Sequence, residues 1–107
     1  MKRFRRAAGL AVAVGMVVGL AAGPALAISD EEASVLADGC ANCHAMDGRI
    51  PPDIPPIIGK PARVLQAQLL AFKADEVPNT TIMNRLARGF TDEQIEAIAR
   101  HLAAANP

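Results

Sequence analysis

The chain has 107 residues, and its 11 Lys and Arg balance 11 Asp and Glu to a formal charge of zero. The balance is uneven along the chain: Lys2, Arg3, Arg5 and Arg6 all fall in the first six residues, and without residues 1–27 the remaining 80 carry seven cations against eleven acids, a net −4. Eighty residues make one domain, and an acidic one argues against nucleic acid and anionic membrane surfaces as partners.

The basic head is followed by an apolar run from Ala7 to Gly23 and then by Ala25-Leu26-Ala27. These are the three regions of a secretory signal peptide, with cleavage expected after Ala27. The alternative is an uncleaved anchor. The run is short for a span and rich in Ala and Gly rather than Leu, which favours cleavage. Residues 1–27 are therefore read as a signal peptide and 28–107 as the domain, exported to the periplasm. No later apolar run is long enough to span a bilayer. The exported part is also poor in aromatic bulk: Phe4 leaves with the signal, Phe72 and Phe90 remain, and there is no Trp or Tyr. A chain of this size draws only ~3–5 kcal/mol from its core and usually needs a staple.

A first helix is expected from about Asp30 to Gly39. Ser29 is its N-cap, and Glu32 stands where a capping box needs it. Ala33, Leu36 and Cys40 fall on one face, and small residues at Ala33 and Ala37 allow another helix to approach closely.

Cys40-Ala41-Asn42-Cys43-His44 follows. A disulfide between the two cysteines would close a tiny loop and constrain little of the unfolded chain. A structural zinc needs four ligands, and beyond this pair the chain offers only His44 and His101. A thiol redox pair normally adjoins a βαβ pattern, and no strand pattern is visible. The pentapeptide fits covalent attachment of c-type haem. At i and i+3 both thiols lie on one face of a helical turn, where they can form thioethers to the two vinyl-derived carbons of one haem. His44 is then placed to ligate the iron. A haem also answers the need for a staple, since it brings the apolar volume that two Phe lack.

From Met46 to Gly59 the chain reads as a loop, punctuated by Pro51, Pro52, Pro55 and Pro56. Ile54 to Gly59 is the candidate source of a carbonyl to orient the proximal imidazole through its other nitrogen. The alternative is that these prolines only stiffen the loop. A second helix is expected from about Pro61 to Lys73, with Pro61 in the first helical position and Ala62, Leu65, Leu69 and Phe72 at helical spacing. A short helical turn at Asn84–Arg88 is stopped by Gly89. The last helix, Asp92 to Ala104, opens on a Thr91/Gln94 capping box with Phe90 and Ile95 as a staple. Ile95, Ile98 and Leu102 form its buried stripe, and Glu96 and Arg100 its exposed pair. The domain is all-α.

An electron carrier fills the iron's other side with Met or His, and a thioether there raises the reduction potential. Met1 and Met16 leave with the signal, and Met46 is too close to His44 to reach the opposite face. Met83, after a loop containing Pro78, is the expected ligand. Its alternative is a core gap-filler. Ligation by His101 and an open sixth site are the other possibilities.

Taken together, Cys40-Ala41-Asn42-Cys43-His44, the Pro-containing stretch ending in Gly59, and Met83, set between N- and C-terminal helices, resemble a class I c-type cytochrome. The resemblance implies a small helical shell around one covalent haem, with the first and last helices crossing so that Ala33 and Ala37 meet Ile98 and Leu102. It places the carbonyl that accepts from the proximal histidine at Pro55 and haem packing at Ile57 and Phe72. Ile54 replaces the first glycine of the family's Gly-Pro-x-Leu-x-Gly motif. A narrower resemblance, carried by Ile54-Pro55-Pro56, Gly59-Lys60-Pro61-Ala62, Ala71-Phe72-Lys73 and Ile82-Met83 through Gln94-Ile95, is to the cytochrome subunit of flavocytochrome c sulfide dehydrogenase. That implies an FAD-containing subunit as partner, one haem c, and electrons passed on from sulfide oxidation, with no catalytic site in this chain itself. The alternative function is a free soluble electron shuttle of a respiratory or sulfur-oxidation chain. Lys60, Arg63 and Arg85 are the candidates for pairing with the haem propionates.

Overall fold

The computed structural model describes residues 26–44 and 52–105, with 9, 11–16, 18 and 19 of the leading segment. The basic head, Ala25, Met46 and Pro51 lie outside the described residues. Among the described residues five helices follow one another: α1 (Asp30–Asp38), α2 (Ala41–His44), α3 (Ala62–Lys73), α4 (Met83–Ala87) and α5 (Asp92–Ala104). Among the described residues there is no strand, and no helix is long and apolar enough to cross a membrane.

The helix starts follow from their caps. Ser29 Oγ accepts from the Glu32 N–H at 3.1 Å and opens α1. Only this half of the expected box forms there. At α5 both halves form: Thr91 Oγ1 accepts from the Gln94 N–H at 3.1 Å, and Gln94 Oε1 accepts from the Thr91 N–H at 2.9 Å. Pro61 stands one residue earlier than expected, at the N-cap of α3, where its carbonyl accepts from the Val64 and Leu65 N–H groups.

Helix α3 ends at Lys73, as expected, in a turn without glycine. Asp75 adopts φ 60°, its N–H bonds the Phe72 carbonyl, and the Glu76 N–H reaches back to Ala71. That pair of bonds is a Schellman turn, which usually has glycine at the left-handed position.

Helix α5 is the centre of the packing and lies against both α1 and α3, while α4 packs on α3. Ile95, Ile98 and Leu102 are buried as the stripe requires, and Ala97 and Ala99 are buried beside them. Ala37 and Leu65 join Ile98, Ala99 and Leu102 in one cluster, with Ile57, Ile58 and Phe90 against it. Lys73 Nζ donates to Asp92 Oδ1 at 2.6 Å, tying the end of α3 to the start of α5. Gly59, in the left-handed region at φ 74°, donates its N–H to the Leu102 carbonyl at 3.0 Å and fastens the proline loop to α5. A side chain at Gly59 would be strained by that φ.

Ile95 is completely buried and does not line either of the two large apolar cavities. Ile95→Ala is expected to cost ~2–5 kcal/mol in denaturant unfolding of the loaded protein, with the visible spectrum unchanged. A spectral change would show that α5 positions the cofactor site through this residue.

Candidate haem site

The cysteine pair is built on the exit from α1. The chain leaves α1 through Gly39, the Cys40 N–H bonds the Ala37 carbonyl, and the Cys40 carbonyl accepts from both Cys43 and His44 N–H groups at 3.3 and 2.9 Å. The pentapeptide is thus wound as one helical turn continuing from α1. Both cysteines are free thiols. Burial pushes the Cys40 thiol up from its ordinary value, partly offset by its backbone hydrogen bond.

His44 Nδ1 lies 2.7 Å from the Pro55 carbonyl oxygen. A carbonyl can only accept, so the ring proton sits on Nδ1 and the Nε2 lone pair is left for a metal. The proline loop, fastened through Gly59, carries this carbonyl on a backbone whose φ is fixed by its ring.

An apolar cavity opens beside this turn. One lobe, of about 310 Å³, is walled by Cys43, Leu36, Ile54, Leu86, Ala87, Phe90 and Ile98, among others. A second, of about 690 Å³, is walled by Ile57, Leu65, Phe72 and Leu102, with Lys60, Gln68, Asn79, Thr80 and Thr81 as its polar members. Cys40, His44, Pro55, Leu69, Ile82 and Met83 line both. The structure places Cys40, Cys43, His44, Pro55, Ile57, Phe72 and Met83 around this cavity. Of the cations suggested for the propionates, Lys60 lines the cavity, whereas Arg63 and Arg85 do not. His101 does not line it either.

These walls suit a large, mostly apolar cofactor. Sites of this kind are ~300–1,000 Å³, apolar, with a few convergent polar groups. Within the polypeptide alone Ile82 is 62 % and Leu86 53 % exposed, and both form cavity wall, which offers apolar surface to a cofactor. Two thiols, an imidazole with a free Nε2 and a thioether are the donor set that a c-type haem uses. Sequence reasoning did not single out Ile82 or Leu86, because an exposed apolar residue carries no signal until the surface it faces is known.

The cytochrome c family model matches residues 29–106. The cytochrome subunit of sulfide dehydrogenase from Chlorobaculum tepidum is 36 % identical over 84 residues, which span 78 % of this chain and 76 % of that protein. No solved structure matches significantly. With its helical fold and a match across nearly all of the folded domain, the chain belongs to the cytochrome c family, as a class I c-type cytochrome with covalently bound haem c.

Proposed function

We propose that this chain is a periplasmic one-electron carrier in which Cys40 and Cys43 hold the haem by thioethers and His44 and Met83 ligate its iron, and that it serves as the cytochrome subunit of a flavoprotein sulfide dehydrogenase. The observation that carries the first part is the convergence of all four side chains on one apolar cavity, with His44 fixed by Pro55 in the metal-binding tautomer. The second part is supported by the relative, itself the cytochrome subunit of a sulfide dehydrogenase.

When bound, the haem supplies the redox chemistry, taking up and releasing one electron at its iron. The chain's residues supply the rest. Pro55 O holds the His44 proton and makes the imidazole a stronger donor. The thioether of Met83 favours the reduced state and raises the potential. Leu36, Leu69, Ile82 and Phe90 exclude water from the site. The acidic surface left after removal of residues 1–27 makes encounter with a partner dependent on ionic strength.

Expression with the native leader, together with an FAD-containing sulfide dehydrogenase subunit, tests this reading. The expected product begins at Ile28, carries the mass of one haem, and elutes in a tight one-to-one complex with the flavoprotein. A monodisperse monomer that never retains the flavoprotein sinks the subunit assignment, and a product still carrying residues 1–27 sinks the cleaved signal.

A further inference from the structure

Helix α4 has five residues, too few to hold itself together in water. Its position must come from outside contacts, and it begins at Met83. The helix has two faces. Met83, Leu86 and Ala87, at i, i+3 and i+4, line the cavity. Asn84 and the capping residue Arg88, four apart, turn to the end of α3. There Asn84 Nδ2 donates to Asp75 Oδ1 at 3.0 Å, and an Arg88 guanidinium nitrogen lies 3.4 Å from Asp75 Oδ2. Asp75 is the left-handed residue of the Schellman turn, so its carboxylate projects from a fixed backbone and not from a fraying end.

We propose that Asp75, Asn84 and Arg88 form a latch in which one carboxylate, anchored at the end of α3, grips both ends of α4 and so holds Met83 in place towards the haem. Asp75 and Asn84 are positioning residues and touch no reacting atom. The two arms differ in strength. Arg88 and Asp75 are 51 % and 60 % exposed, so their ion pair is weak. The bond from Asn84 is charge-assisted and partly sheltered, and it carries most of the grip. Among the described residues Asn84 Oδ1 is buried without a hydrogen-bond partner. The carboxylate determines which way the amide faces, because only Nδ2 can donate to it.

The latch rests on Met83 being a ligand, and the test separates the two. In the oxidised holoprotein, added imidazole competes with Met83 for the iron, and its apparent affinity scales with the fraction of molecules in which the Met83 segment has opened. Displacement is followed by loss of the near-infrared sulfur-to-iron charge-transfer band. Asp75→Gly removes the carboxylate while keeping a residue at ease with the left-handed φ, so the turn survives and the latch does not. Its apparent imidazole affinity is expected to rise about three- to tenfold, the effect of losing one partly sheltered charge-assisted hydrogen bond. Asp75→Asn keeps an acceptor oxygen and the tolerance for φ 60°, loses the weak ion pair and the charge assistance, and should fall between the parent and Asp75→Gly. Glu96→Gln breaks the exposed pair between Arg100 and Glu96 on α5 and should change nothing. If Asp75→Gly binds imidazole no more tightly than the parent, the latch is overturned while Met83 ligation stands. If the parent protein shows no sulfur-to-iron band, the ligation reading falls and the latch with it.

Discussion

The double variant Cys40→Ser, Cys43→Ser is expected to yield no covalently bound haem and no stable helical domain. The reason lies in what the described core contains. Of its nine buried apolar residues five are alanine, namely Ala33, Ala37, Ala87, Ala97 and Ala99, and the largest fully buried side chains are Ile95 and Ile98. Phe72 and Phe90 are only half-buried, and both face the cavity. A domain of this size has ~3–5 kcal/mol to draw on from its core, and an alanine contributes little of that, since burial free energy scales with apolar area. The missing area is that of the cofactor. Serine is close to cysteine in size and cannot form the thioether, so the loss reports attachment and not packing. Haem staining of a denaturing gel should be blank for the double variant, and its far-ultraviolet circular dichroism should show most of the helix gone. A double variant that stays helical and cooperative would show that the polypeptide core suffices. Cys43→Ser alone keeps one thioether and should give partial loading, since Cys40, lining both lobes of the cavity, remains.

The second large effect is expected at Met83. Met83→Ala should abolish the sulfur-to-iron band of the oxidised protein and lower the reduction potential by a substantial part of the ~0.8 V that axial ligands command. Folding should survive, because Met83 is only half-buried and the cluster around Leu65 and Ile98 does not include it. Potentiometric titration beside the near-infrared spectrum measures both quantities on one sample. If the variant retains the band, another sulfur is the ligand. Met46→Ala is the comparison that would show it, and it is expected to leave band and potential as they are.

Much of this architecture was legible because it is written in local patterns. The starts of α1 and α5 are announced by Ser29 and Thr91, and the apolar spacing of Leu65, Leu69 and Phe72 gives α3. The attachment turn is carried by three consecutive constraints, Cys40, Cys43 and His44. What stayed hidden is of three physical kinds. The burial of Ala97 and Ala99 depends on α1 and α3 lying close to α5, and alanine is equally at home inside and outside a helix bundle. The end of α3 at Lys73 is legible, but the Schellman turn beyond it is not, because Asp75 stands where glycine is usual. The grip of Asp75 on Asn84 joins residues nine apart across a loop, a relation that no helical or strand period encodes. The Pro55 carbonyl is intermediate: a backbone oxygen has no residue signature, and only the resemblance to a family motif pointed to that position.

The abundance of alanine in the helix contacts has one more consequence. Alanine has no rotamers, so side chains at these contacts cannot re-sort when the charge at the site changes by one unit. Any adjustment has to move whole helices, and α5 is held at both ends, by Asp92 to Lys73 and by the Leu102 carbonyl to Gly59. An environment that moves little between two charge states adds little to the barrier for electron exchange. The same sparse core that is expected to make this polypeptide dependent on its cofactor therefore gives that cofactor a stiff setting in which to change oxidation state.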